Sequence, residues 1–215
     1  MARDDVQPSD AELLDRWRAG DLAAGETLFA RYYPAIERFF LNKLSIGIDD
    51  LVHETFRLCL EAKERIADPT KFRPYLFSIA RNVLHTFFRK KGRRDAEVDL
   101  DEVSVRAFDP GPSSVLVERQ EQRLLLEALR SVPVNDQLIL ELYYWESLKV
   151  ADICQVLDIT VPTAKGRLHR ARKRLREKLE ELADSPDLLD STVANLDDWA
   201  RGCRDMLDRV DVMSP

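Results

Sequence analysis

The stretch from Leu148 to Leu179, LKVADICQVLDITVPTAKGRLHRARKRLREKL, constrains the fold more than any other part of the chain. In its first half Val150, Ile153, Val156 and Leu157 recur at helical spacing, which predicts a short helix that buries one face and shows Asp152 and Gln155 on the other. Asp158, Ile159 and Thr160 then interrupt the pattern. Thr160 is placed to accept a hydrogen bond from the open amides of the next helix as its N-cap, and Pro162 falls in the first turn, where a missing amide hydrogen costs little. From Val161 to Leu182 the residues Ala164, Leu168, Ala171, Leu175, Leu179 and Leu182 form one apolar stripe at steps of three and four.

Around that stripe stand Lys165, Arg167, Arg170, Arg172, Lys173, Arg174, Arg176 and Lys178, against three Glu, a local net of +5 on a chain whose total is −6. Charge alone also fits a solvated helix. A capped short helix, a three-residue turn and a basic second helix together outline a DNA-reading helix-turn-helix.

A length of 215 residues with 45% hydrophobic content allows one large domain or two small ones with real cores. Glycine and proline are sparse, and no stretch alternates apolar and polar residues as a strand would, so the chain reads as all-α. No run has the length of a membrane span, and the start, MARDDVQPSDAELL, lacks the apolar core of a signal peptide; a cytoplasmic address is expected. Cys59, Cys154 and Cys203 lie far apart with no CxxC or Cys/His cluster, which fits buried thiols in a reducing compartment and no metal site. Three scattered histidines and no glycine-rich phosphate loop give no sign of an enzyme or of a cofactor.

Taken in order, Ser9 can cap a short helix holding Leu13, Leu14 and Trp17, and a longer one follows with Leu28, Phe29, Tyr32, Tyr33, Ile36, Phe39 and Phe40. Aromatics this dense read as core ahead of a binding platform, and Pro34 should kink or split the helix. From Ile48 to Ile66 an apolar stripe of Leu51, Val52, Thr55, Phe56, Cys59 and Leu60 is flanked by Asp49, Asp50, Glu54, Glu61 and Glu64. Either a solvated face with carboxylates near a helix N-terminus or a docking face for a basic partner fits. A second basic helix, YLFSIARNVLHTFFRKKGRR, carries six Lys and Arg and no acid from Arg81 to Arg94. Its stripe reads as core and its basic face as a grip on nucleic acid. Residues 95–113 are acidic and end in Asp109, Pro110, Gly111 and Pro112, a linker between two domains at 9–94 and 114–183. In the acidic tail, 184–215, Ser185 and Pro186 look like a helix start, and Leu189, Val193, Leu196, Ala200, Cys203, Leu207 and Val210 fall on a heptad seam flanked by Trp199 and Met206. This amphipathic helix either packs on the protein's own domains or serves regulation.

The strings DDLVHETF, FRPYLFSIARN and ITVPTAKGRLHRARKRLRE, in this order and separation, resemble the bacterial RNA polymerase sigma factors of the extracytoplasmic-function group over roughly residues 10–182. The resemblance implies a promoter-melting domain, region two, and a helix-turn-helix domain, region four, in a factor that directs promoter-specific initiation. It implies that Asp49, Asp50, Leu51, Val52 and Glu54 dock on the coiled coil of the polymerase β′ subunit. Arg81, Asn82, Arg89 and Lys90 would contact the minus-ten element, with the loop from Ala67 to Arg73 capturing a flipped base. Thr163, Lys165, Arg167 and Arg170 would enter the minus-thirty-five major groove, and Arg172 and Arg174 would hold phosphates. Core polymerase, promoter DNA and an anti-sigma factor or other regulator are the expected partners. Thr55, beside the acidic string, is a candidate for phosphorylation that would add charge there. The rival reading is a helix-turn-helix regulator that binds duplex DNA without polymerase.

Overall fold

In the computed structural model of the chain, residues 7–91, 99–108 and 120–194 are described. Helix α1 (Asp10–Arg18) starts at Ser9, whose hydroxyl accepts from the Glu12 amide while the Glu12 carboxylate accepts from the Ser9 amide, a reciprocal cap. Helix α2 (Leu22–Leu41) is capped by Asp21 and runs unbroken through Pro34. The single lost hydrogen bond is outweighed by a buried face of Leu28, Tyr32, Ile36, Phe39 and Phe40. The two helices meet so closely at Gly25 that a Cβ there would stand 2.5 Å from Trp17 Nε1.

Helix α3 (Ile48–Ala62) begins at Gly47, whose φ of 73° suits glycine. After two 3-10 turns, Lys63–Arg65 and Pro69–Lys71, helix α4 (Phe72–Lys91) packs on α3 and closes the first unit. The aromatics are core: Trp17 meets Phe29 edge-on at 5.2 Å, and Phe39 meets Phe77 at 5.9 Å. Along α4, Leu76, Val83, Leu84 and Phe88 are buried as the stripe predicts.

The expected linker is partly folded. Leu100 and Val105 are buried, a one-turn helix α5 (Val105–Phe108) forms, and the amides of Val134 and Asn135 donate to Val103 and Leu100 at 3.0 Å each. Helices α6 (Gln120–Ser131), α7 (Val134–Tyr144), α8 (Val150–Leu157) and α9 (Val161–Leu182) build the second unit. Asp158 ends α8 in the left-handed conformation with φ 53°, and Thr160 caps α9, its hydroxyl accepting from the Thr163 amide.

The tail begins as expected: the Ser185 hydroxyl accepts from the Leu188 amide at the start of α10 (Pro186–Ala194). That helix packs on α6 and α9, with Thr192 buried and Leu188 and Leu189 against the core. The rest of the predicted seam, from Leu196 to Val210, lies outside the described residues. Among the described residues there is no strand, no helix long and apolar enough to cross a membrane, and no cluster of His, Cys, Asp or Glu fit for a metal. The fold is all-α.

Candidate nucleic-acid interface

The acidic helix and the basic one lie side by side. Asp50, Leu51, Glu54 and Leu58 of α3 face Asn82, Val83, Thr86, Phe87 and Lys90 of α4 across a groove of about 330 Å³. Its floor is apolar, and its rim carries the acidic Asp50 and Glu54 and the basic Lys90. Asp49 and Asp50 stand exposed in the first turn of α3, and Leu51 is half-buried. Glu54 is forked by Arg57, whose Nε and Nη2 donate to it at 2.7 Å each, and that hydrogen-bonded pairing holds its carboxyl below the usual range. Val52 corrects the sequence-based expectation. It is fully buried, so it supports the face from beneath and cannot itself touch a partner. Thr55 is also fully buried, with its hydroxyl donating to the Leu51 carbonyl at 2.8 Å, which removes it as a phosphorylation site in this fold.

Of the four minus-ten candidates, Asn82, Arg89 and Lys90 are exposed. Arg81 is not. It is half-buried where α4 meets the second unit, with the opposite charges of Asp158 and Asp101 countering the desolvation that lowers its pKa. The Ala67–Arg73 loop is likewise engaged: Asp68 accepts from the Thr70 amide at 2.9 Å, Lys71 pairs with Asp152 at 2.6 Å, and Arg73 pairs with Glu146 at 2.8 Å.

On α9 the buried stripe is Ala164, Leu168, Ala171, Leu175 and Leu179, which leaves Thr163, Lys165 and Arg170 exposed. Arg167 has only 16% of its side chain exposed and pairs with Asp101 at 3.2 Å. Two further arginines are tied to their own unit. Arg174 donates to the buried carboxylate of Asp136 at 2.7 Å, while Arg172 donates to the Tyr144 hydroxyl at 2.8 Å and stacks over the Tyr143 ring at 5.0 Å. Arg174, expected among the DNA contacts, therefore has a structural partner first.

Models of sigma-70 region 2 and sigma-70 region 4 match residues 28–94 and 122–175. The extracytoplasmic-function (ECF) RNA polymerase sigma-E factor of Escherichia coli K12 is 23% identical over 185 residues, covering 82% of this chain and 97% of that one. The sigma-E factor of Haemophilus influenzae is 24% identical over 185 residues, with 82% and 98% covered. The chain belongs to the sigma-70 family, whose two regions together span more than half of it. A sigma factor directs promoter-specific transcription, binding core RNA polymerase and promoter DNA. Two solved structures share the fold. CnrH in complex with the cytosolic domain of CnrY aligns with a TM-score of 0.57 and 22% identity, covering 83% of this chain and all of that one. RpoE in complex with the anti-sigma factor NepR from Bartonella quintana aligns with a TM-score of 0.56 and 20% identity, covering 74% and 98%.

Within this sigma factor, sequence reasoning missed the charged residues at the seam between the two units: Arg38, Lys43, Glu141, Glu146, Asp152 and Asp101. One signal was available. Lys43 sits in the run FFLNKL, a charge inside an apolar stripe, and such a lysine needs a buried partner.

Proposed function

We propose that the chain binds core RNA polymerase through the exposed first turns of α3, using Asp49, Asp50, Leu51 and Glu54 to engage the coiled coil of the β′ subunit. Asn82, Arg89, Lys90 and Arg81 on α4 serve the minus-ten element, and Thr163, Lys165, Arg167 and Arg170 on α9 serve the minus-thirty-five element. The division of labour is region 2 over 9–94, region 4 over 114–183, and an acidic connection between them. The chain has no catalytic role of its own and works in the cytoplasm, where polymerase is. An anti-sigma factor is a further partner, by analogy with the complex of RpoE and NepR.

The observation that carries this reading is the shared groove, in which Asp50 and Glu54 of the acidic helix stand across from Asn82 and Lys90 of the basic one. A helix-turn-helix regulator acting without polymerase has no use for such a groove in the same chain. The test is co-purification with core polymerase followed by transcription in vitro and mapping of start sites. Stoichiometric association and defined start sites are expected, with Asp49→Ala and Asp50→Ala together abolishing both. Duplex binding without association or initiation would establish the regulator instead.

A further inference from the structure

A second cleft, of about 380 Å³, lies between the middle of α2, the start of α4 and the turn that follows α7. It shares no residue with the groove between α3 and α4. Its lining holds three guanidiniums, Arg31, Arg38 and Arg73, and one carboxylate, Glu146. Arg38 and Glu146 are both buried and pair at 2.8 Å, and Glu146 also accepts from Arg73 at 2.8 Å. The next residue, Ser147, holds a left-handed backbone with φ 49°, which a serine adopts at a cost, and the turn it makes sets Glu146 between the two arginines.

The other two guanidiniums keep donors open. Arg31 and Arg73 have 27% and 34% of their side chains exposed. Arg73 uses one nitrogen, Nη2, for both the carboxylate and the carbonyl of Glu146, while Arg31 gives Nη1 to Asp10 at 2.5 Å and Nη2 to the Pro8 carbonyl at 2.9 Å. Among the described residues this leaves Arg31 Nε and Arg73 Nε and Nη1 with no hydrogen-bond partner. Both charges act on the same Tyr32 hydroxyl, so the two guanidiniums stand near each other.

We propose that this cleft binds a small phosphorylated metabolite, with a phosphate held between Arg31 and Arg73. Two guanidiniums from different helices offer three open nitrogens, and a phosphate has three acceptor oxygens where a carboxylate has two. Their pairing with Asp10 and Glu146 holds the planar groups in place before a ligand arrives, so little side-chain freedom is lost on binding. The volume falls in the range of small-molecule sites, about 300–1,000 Å³, and the buried Trp145 bounds one side, whereas the basic face of α9 is open. A ligand here touches region 2 through the arginines and region 4 through the turn at Trp145 and Glu146, so its binding adds to the stability of the chain.

The probe is inorganic pyrophosphate, titrated calorimetrically into the full chain at physiological salt, with citrate as a carboxylate anion of similar charge. One saturable site is expected for pyrophosphate and a weaker response for citrate, and the melting temperature should rise with pyrophosphate concentration. Arg31→Gln and Arg73→Gln are each expected to weaken binding about tenfold through the loss of charge-assisted hydrogen bonds. Arg170→Gln, which removes an equal charge from the exposed face of α9, should leave it unchanged. Circular dichroism checks that each variant folds, and Arg31→Lys, which keeps the charge and loses the planar fork, should fall between Arg31→Gln and the unsubstituted chain. Binding of a promoter duplex by Arg31→Gln separates the two sources of phosphate. It should be unchanged, and a loss parallel to that for pyrophosphate would assign the cleft to the DNA backbone and overturn the small-ligand reading. The absence of saturable binding, equal binding of citrate, or a loss in Arg170→Gln as large as in Arg31→Gln would each overturn the proposal.

Discussion

Two helices of this protein look alike in sequence and are used differently by the fold. Both α4 and α9 carry an apolar stripe under a basic face. In α9 Thr163, Lys165 and Arg170 stand in solvent and Arg167 turns onto the acidic connection, whereas in α4 Asn82, Arg89 and Lys90 stand in solvent and Arg81 is half-buried under region 4. The difference lies outside the helices themselves. Region 4 places Asp158 and region 4's neighbouring segment places Asp101 where Arg81 and Arg167 converge, so a run of basic residues becomes either a free surface or half of an internal interface. Local charge says what a face can bind, and the position of distant acids says whether it is available.

The largest expected effect comes from the seam that makes the two helices differ. Lys43→Ala strands the buried Glu141 carboxylate and should cost about 3 kcal/mol of stability, while Lys43→Met with Glu141→Leu should recover most of it. Urea unfolding of the two variants checks the sign. A double variant as unstable as the single one would show that the seam depends on the ions themselves.

The next contrast lies within α9. Arg170→Ala should lose about 1–3 kcal/mol of affinity for a minus-thirty-five duplex. Arg174→Ala should leave that affinity nearly intact and cost about 1–2 kcal/mol of stability by stripping Asp136 of its partner. Filter binding and thermal melts on both variants separate reading from bracing.

A smaller effect concerns pH. His85 of α4 lies at the seam near Asn135, Asp101, Arg81 and Arg89, and burial together with the Arg81 and Arg89 charges pushes its pKa from 6.5 down to about 4. An imidazole that recovers its ordinary value on unfolding binds a proton better in the unfolded chain. The contribution to stability is therefore fully present above pH 6.5 and is lost progressively as pH falls toward 4. Urea unfolding across that window should show the loss on acidification, and His85→Gln should flatten the dependence. The smallest effect is that of Thr160→Ala, which removes the cap of α9 and should cost about 1 kcal/mol in a thermal melt.

Much of this fold was legible in the chain because its signals are local. The Ser9, Thr160 and Ser185 caps, the stripe of α9 and the turn after Leu157 depend on residues within a few positions of one another, and all formed as read. What was not legible depends on pairs far apart. Nothing near Glu141 announces Lys43, nothing near Arg174 announces Asp136, and the acidic connection gave no sign that Leu100 and Val105 would be buried on region 4. Val52 was misplaced because its neighbours Asp49, Asp50 and Glu54 face outward and the helical turn carries it inward. Pro34 did not split its helix for the opposite reason, since a strong local rule yielded to a long buried face.

The central claim is that the exposed first turn of α3 docks the chain on core polymerase, and removal of its two carboxylates tests it most directly. Asp49→Ala with Asp50→Ala takes away side chains that stand exposed on α3 and leaves its buried face of Val52, Thr55, Phe56 and Cys59 untouched. The doubly substituted factor should keep its helix content by circular dichroism yet lose stoichiometric association with core polymerase and promoter-specific initiation. Association and initiation equal to those of the unsubstituted chain would contradict the account.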